Sequence, residues 1–355
     1  MTSHRHVLIM AGGKGERFWP CSRESRPKQL LPLFGKKTLI EMTVERLAPV
    51  VPRARVWIVT NAAQARAMAR LMPRFPRKNF IIEPVGRDSA GAVMLGCATV
   101  ARRDPRAVMA LLPADHVIRD VRSHARALAD CFRVAEKHPL IVTLGIRPAF
   151  PSTAYGYIER AGPLRAPGVR TRMFHGQRFL EKPDAAAAAR FVRSGRYVWN
   201  AGMFIWSAAT LRAAFGAHSP VHAAGWDALA AGPRAAAAYL RRGWRALPKI
   251  SIDYAIMEKS RNLAVAEGRF DWDDVGSWSA LANHFSADRS GNCGRGRVFA
   301  VDSRGCLAIS AQRAIGLVGV RDLVVVETED ATLVCSRDAA QRVKDLVRQL
   351  PSSLR

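Results

Sequence analysis

Short, fully apolar runs alternate with longer stretches of helical spacing from the first residues onward. Residues 6–10, 56–60, 80–82, 107–112 and 140–144 are rich in Val, Ile, Leu and Phe and read as buried strands. Between them, residues 38–47, 62–71, 91–103 and 123–137 carry helical periodicity. Strand–helix alternation of this kind predicts an α/β fold with a Rossmann-like, mainly parallel sheet covered on both faces. Further on, Asp184 stands where a side chain can cap a helix over 185–194, and Gly195 stands where that helix would end. Residues 196–206 read as another strand. Residues 248–260 read as a strand-to-helix transition around Ile252-Asp253-Tyr254.

The tail has a different rhythm. Residues 286–297 are rich in Ser, Gly, Asp and Arg and read as a linker. Short strands follow at 298–301, 314–320, 323–327 and 332–334. Val343, Leu346, Val347 and Leu350 then repeat at helical spacing. The expected layout is a catalytic domain over 1–286 and a small β-rich, β-helix-like module over 287–355, closed by a helix. No chemistry is evident in that module.

Composition narrows the function less than the pattern does. The chain has 355 residues, enough for one large and one small domain. No apolar run approaches the ~18 residues a membrane span needs. The six cysteines are scattered and form no Cys-x-x-Cys pair, which predicts free thiols and a cytoplasmic protein. His218 and His222 share metal-ligand spacing, but Pro220 lies between them, so a surface role is expected. The formal net charge is +26, yet the basic residues are dispersed and mostly Arg, with no long Lys/Arg run. Biased Ala/Arg usage explains this better than a nucleic-acid partner, although a positive field would still attract anionic substrates.

The chemistry concentrates at the end of the first strand. Residues 10–29 read Met-Ala-Gly-Gly-Lys-Gly-Glu-Arg-Phe-Trp-Pro-Cys-Ser-Arg-Glu-Ser-Arg-Pro-Lys-Gln. A strand that breaks into glycines lets backbone N–H groups approach an anion, and Arg17 and Lys28 add mobile positive charge. The spacing excludes a Walker A loop, because Gly15 rather than Ser or Thr follows Lys14. It also excludes the dinucleotide fingerprint, because Phe18 occupies the third glycine position. Glu83-Pro84 and Pro113-Ala114-Asp115 likewise follow predicted strands, which assigns all three segments to the ligand-binding rim of an α/β sheet.

This loop resembles the signature of the sugar-phosphate nucleotidyltransferases, and Phe18-Trp19-Pro20-x-Ser22 resembles the mannose-1-phosphate guanylyltransferases in particular. Six further stretches carry the likeness in the family's order: residues 83–90, 113–116, 155–158, 181–183, 199–204 and 271–278. The resemblance implies a GT-A-like fold and Mg²⁺-dependent transfer of GMP from GTP to mannose 1-phosphate. It implies that Arg17 clamps the β- and γ-phosphates and that Lys28 sits on the α-phosphate. Ala11, Gly12, Gly13 and Gly15, with Glu83, Pro84, Gly86, Arg87, Asp88 and Ser89, would bind the nucleotide. Gly156, Glu181, Lys182, Asn200 and, more weakly, Asp253 would bind the sugar phosphate. Asp115 and Asp274 would hold the metal, with Asp273 the alternative if the register is shifted by one. Trp19, Trp199 and Trp278 could stack on ligand, but core packing is the commoner use of tryptophan.

Two departures from the family pattern bear on specificity. Asp88-Ser89-Ala90-Gly91-Ala92 replaces Asn-Thr-Ala-Pro-Ala, and Ser152-Thr153-Ala154 replaces Glu-Thr-Gly. They keep open a different nucleotide or sugar phosphate. A non-catalytic sensor of the same fold and a nucleic-acid-binding protein are the rivals from other classes. The resemblance further implies the form without a C-terminal cupin isomerase domain and a homodimer, while composition leads us to expect no membrane or nucleic-acid partner.

Overall fold

In the computed structural model, which describes residues 4–355, the chain folds as two compact units interleaved in sequence. The first takes the chain up to Gly12, Thr43–Ala114 and Ile118–Trp272. The second takes Gly13–Met42, Asp115–Val117 and Asp273–Arg355.

The first unit is built on a nine-stranded sheet. Its strands are β1 (Arg5–Met10), β2 (Val56–Thr60), β3 (Phe80–Ile82), β4 (Val108–Pro113), β5 (Ile141–Ile146), β6 (Tyr157–Leu164), β7 (Met173–Leu180), β8 (Tyr197–Ser207) and β9 (Leu263–Gly268). They lie in the order β3-β2-β1-β4-β8-β5-β9-β7-β6. The alternation read from the sequence builds the parallel half, β3-β2-β1-β4. Antiparallel pairs enter where β8 inserts between β4 and β5, and where β6 and β7 close the far edge, so the whole sheet is mixed.

Parallel strands discharge their carboxyl ends on one rim. Ala11-Gly12, Glu83-Pro84 and Ala114 therefore all leave that rim in the first unit. The helix Asp88–Arg103 buries Val93, Met94, Cys97 and Val100 in a core shared with Leu8, Trp57, Met109 and Trp206. The helix Ala185–Ser194 is capped by the Asp184 carboxylate and ends at Gly195, whose φ of 65° only glycine adopts without strain.

The second unit holds the tail. Strands β10 (Cys293–Arg295), β12 (Leu307–Ser310) and β14 (Leu323–Glu327) pair in parallel, and β15 (Thr332–Ser336) closes that sheet antiparallel to β14. Strands β11 (Val298–Val301) and β13 (Ile315–Val318) pair in parallel in a second sheet. The chain thus alternates between two sheets, as a β-helix does. Leu307, Ile309, Val324 and Val326 pack in one core with Phe18, Trp19, Trp278, Val343 and Val347.

Several expectations need correction. The segment read as a linker contains β10, because a coil strand pairs through its backbone and needs little apolar side chain. Residues 248–260 contain no strand; Asp253–Met257 is a single π-helical turn. The closing helix is Val343–Val347, with Val343 and Val347 buried and Leu346 exposed. His222 is buried rather than on the surface, and Ser219 lies within hydrogen-bonding distance of its Nδ1 at 2.7 Å. His218 belongs to the preceding helix, Ala208–His218, so the pair does not share a helix face. No described helix is long and apolar enough to cross a membrane. The six cysteines are free.

Candidate active site

The signature loop enters the second unit at Gly13 and tightens into a 3-10 turn at Glu16–Phe18. Gly15 precedes that turn with φ 65°. A Cβ there would lie 2.5 Å from Lys28 Cβ and 2.6 Å from Lys28 N. Glycine is thus required twice, for its backbone angle and for the close approach of Lys28. Gly13 is exposed with open space where a Cβ would stand, and its carbonyl accepts from Gln29 Nε2 at 3.1 Å.

Lys28 is buried, with 5% of its surface exposed. A buried ammonium needs partners. Its Nζ donates to Asp115 Oδ2 at 2.9 Å and to the Asp274 carbonyl at 2.6 Å, and it lies 5.5 Å from the Phe18 ring centroid. Asp115 answers in kind: burial acts to raise its carboxyl, but Lys28 and His116 overcome that and hold it below the ordinary carboxylate range. Arg17 is exposed and reaches Gly276 O at 3.5 Å. Arg17, Lys28, Asp115, His116, Asp274 and Lys344 line one cleft of this unit.

The two neighbouring aspartates differ in their surroundings. Asp273 accepts from Val275 N at 2.6 Å and lies 2.8 Å from His284 Nε2, so it organises its own turn. Asp274 faces the cleft. Val275 between them and Gly276 has φ 44°, a strained value for a β-branched residue, and functional turns often store such strain. Among the described residues no group of three or more His, Cys, Asp or Glu side chains forms a metal cage. Two carboxylates on one cleft fit Mg²⁺ better than such a cage would. This ion typically binds one or two carboxylates and takes its remaining oxygens from phosphate and water.

A second constellation lies wholly in the first unit. Gly156 O accepts from Asn200 N at 2.8 Å, and a Cβ on Gly156 would lie 2.5 Å from Glu181 Oε2. Lys182 pairs with Glu181 and has φ 46°. Asn200 borders a register shift in the β5–β8 pairing, a common device for re-aiming a side chain. Its amide donates to Asp253 Oδ1 at 3.3 Å, and its carbonyl oxygen accepts from Gly202 N at 3.0 Å. Burial, reinforced by the Glu181 charge, pushes the Asp253 carboxyl up to about 6. The fold thus draws Gly156, Glu181, Lys182, Asn200 and Asp253 together from separate points of the sequence. Glu258, which sequence reasoning missed, accepts from Glu181 N at 3.0 Å and fixes that corner.

The third group also belongs to the first unit. Glu83 accepts from Arg87 N at 2.8 Å, which closes the loop over exposed Pro84 and Gly86. Burial raises the Glu83 carboxyl despite that bond. Asp88 has φ 61°, and Asn and Asp are the non-glycine residues most tolerant of this region, so Asp in place of the family's Asn keeps the backbone. Ser89 Oγ accepts from Ile252 N at 2.8 Å and ties the loop to the π-helical segment. Gly91 is where a Cβ would strike Arg87 Cβ at 2.8 Å. Ala11 is buried; its N–H donates to Val59 O at 2.9 Å and its carbonyl accepts from Thr60 Oγ1 at 2.7 Å. Gly12 is exposed, with open space around it.

The three tryptophans are packing residues. Trp19, Trp199 and Trp278 are all buried, and Trp278 Nε1 donates to Trp19 O at 3.0 Å. From the tail, Lys344, which carried no motif, also lines the cleft.

Comparison with known proteins agrees with this picture. A nucleotidyl transferase family model matches residues 6–291, and a MannoseP isomerase/GMP-like beta-helix domain matches 296–350. The xanthan biosynthesis protein XanB of Xanthomonas campestris pv. campestris is 37% identical over 98% of this chain and 73% of its own length. A mannose-1-phosphate guanylyltransferase of Escherichia coli is 35% identical over 98% of this chain and 74% of its own. The crystal structure of a mannose-1-phosphate geranyltransferase from Thermus thermophilus aligns with a TM-score of 0.87 at 41% identity, covering 98% of this chain and 99% of that one.

Proposed function

The chain belongs to the nucleotidyl transferase family, and from that premise we propose that it transfers GMP from GTP to α-D-mannose 1-phosphate, releasing pyrophosphate and forming GDP-mannose. A phosphate oxygen of the sugar phosphate attacks the α-phosphorus of GTP in line. The new P–O bond forms as the bond to the β-phosphate oxygen breaks, and pyrophosphate leaves with that electron pair. Such a displacement asks the protein for positioning and charge neutralisation, with no covalent help.

The observation that carries this reading is the cleft of the second unit, where Arg17, Lys28 and two aspartates converge. Lys28 is anchored by two of its donors, and an ammonium has three, so a phosphate oxygen can take the third. We assign it to the α-phosphate, where charge develops, and assign exposed Arg17 to the β- and γ-phosphates. Asp115 and Asp274 would hold Mg²⁺, which neutralises triphosphate charge when bound. In the first unit, Glu181, Asn200 and Asp253 offer carboxylate and amide partners to sugar hydroxyls, and exposed Lys182 offers a cation to the sugar phosphate. Gly156 lets the carboxylate of Glu181 approach the backbone. The Glu83–Ser89 loop and Gly12 are assigned to the guanine and its ribose. This reading keeps 1–286 as the catalytic domain and 287–355 as the C-terminal module. It also implies a cytoplasmic location, where both substrates are made.

The test is pyrophosphate release across a matrix of nucleoside triphosphates and sugar 1-phosphates, with and without Mg²⁺. The GTP and mannose 1-phosphate pair should dominate. Turnover with a different pair alone would discard the specificity and keep the reaction class.

A further inference from the structure

We propose that Lys344, on the short helix Val343–Val347, is a binding residue for the triphosphate of the nucleotide and for the pyrophosphate that leaves. The proposal rests on the nucleotidyl-transfer reading above and adds to it a cation from the C-terminal module.

Three observations carry it. First, Lys344 lines the same cleft as Arg17, Lys28, Asp115 and Asp274. Second, its helix is fixed against the signature loop. Val343 and Val347 sit one turn apart and are buried in the core that also holds Phe18 and Trp19, so the backbone bearing Lys344 is held beside the turn bearing Arg17. Third, its side chain is half-buried and makes no hydrogen bond or ion pair among the described residues. The adjacent carboxylate, Asp345, faces Arg348 at 3.5 Å instead. A cation that lines a cleft beside other phosphate-directed cations and has no protein partner favours an anionic ligand there.

The charge balance of the cleft points the same way. Lys28 holds Asp115 at 2.9 Å and has its remaining donor assigned to the α-phosphate, which leaves Arg17 as the other cation for the terminal phosphates. A triphosphate brings several negative charges, and its terminal two phosphates depart together. Lys344 beside Arg17 supplies the second uncommitted positive charge for that departing end. Because the contact persists in the pyrophosphate complex, it should affect ground-state binding more than the chemical step.

The experiment compares Lys344→Ala, Lys344→Arg and the control Arg348→Ala, which removes an equal charge one turn on. The KM for GTP in the forward direction and for pyrophosphate in the reverse direction should rise roughly tenfold in Lys344→Ala, as expected for a lost charged hydrogen bond. KM for mannose 1-phosphate and for GDP-mannose should hold, kcat should fall less than about threefold, and Lys344→Arg should recover most of the loss. Arg348→Ala should match the wild type. Unchanged KM for pyrophosphate would overturn the proposal, as would equal rises for every substrate together with a lowered Tm. Calorimetric titration of the full chain with inorganic pyrophosphate and Mg²⁺ separates this from the functional reading. Wild-type protein that binds pyrophosphate but does not turn over the GTP pair would defeat that reading alone. Binding weakened only in Lys344→Ala would still support the lysine, and equal binding in both would overturn it.

Discussion

Asp115 in the second unit and Asp253 in the first are both half-buried, and burial acts to push both carboxyls up. Their neighbours then send them in opposite directions. Asp115 meets the Lys28 ammonium at 2.9 Å, with His116 adjacent, and is held below its ordinary range. Asp253 meets the Glu181 carboxylate and rises to about 6. Charge partner, rather than depth, separates the two. The consequence is a division of labour. A carboxylate locked in its anionic form suits cations and the phosphates that accompany them. A carboxyl close to neutrality suits hydroxyl groups, to which either protonation state can hydrogen-bond.

The largest test of this contrast is to remove charged groups from the second-unit cleft. Lys28→Ala and Asp274→Ala should each cut turnover at least ~100-fold, the scale of losing one electrostatic contact in the transition state. Steady-state rates at saturating GTP and Mg²⁺ measure this, and a near-normal rate in either variant would remove the second-unit cleft from the reaction. Removal of Mg²⁺ by chelation should abolish turnover and its return should restore it. Full activity in chelator would strip Asp115 and Asp274 of their assigned role.

Next in size is the scaffold beneath Lys28. Gly15→Ala places a Cβ 2.5 Å from Lys28 Cβ at a backbone angle of 65°. The combined clash and strain should cost about 2–3 kcal/mol of stability, read as a lower midpoint in urea unfolding. A midpoint equal to wild type would mean that the loop relaxes freely and that Lys28 is not held by it. A smaller effect is expected from the first unit. Asn200→Ala should raise KM for mannose 1-phosphate roughly tenfold and leave KM for GTP alone, as loss of a hydroxyl-binding contact does. A selective rise in KM for GTP would assign this group to the wrong substrate.

Much of the scaffold behind this contrast was legible because it depends on local pattern. The run at Val56–Thr60 is a strand at those bounds, since interior parallel strands are apolar on both faces, and the edge strand Phe80–Ile82 was read from its short apolar run. The capped helix Ala185–Ser194 was equally plain, because Asp184 and Gly195 mark its ends. Strands β6 and β7 were not read, because this hairpin carries polar residues such as half-buried Arg160 and exposed Gln177 and Arg178, which break the period. The π-helical turn at Asp253–Met257 depends on packing that no local periodicity encodes. The site divides in the same way. Lys28, Asp115 and Asp274 were visible through motifs in which phosphate chemistry constrains several adjacent residues. Glu258 and Lys344 stand singly in unremarkable sequence, and only the folded chain brings Glu258 to Glu181 N and Lys344 to the cleft.

The subtlest test concerns Asp253 alone, and its sign follows from linkage. Its folded pKa of about 6 lies above the ordinary value of 3.8, so between these values the native state binds a proton that the unfolded chain has released. Stability from this group is therefore present at low pH and is lost as pH rises through that window. Between about pH 5 and pH 7 the loss should be about 1 kcal/mol. Asp253→Asn keeps the shape and hydrogen-bonding reach toward Asn200 but cannot ionise. Wild-type stability should fall more steeply from about pH 5 to pH 7 than that of the variant, by about this amount. Urea titrations at the two pH values, on both proteins, measure the difference. Glu181 and Lys182, which also face Asp253, are present in both and cancel to first order. Parallel slopes would mean that Asp253 is as ionised as Asp115, and the opposition between the two units would reduce to a difference in neighbours without a difference in charge state.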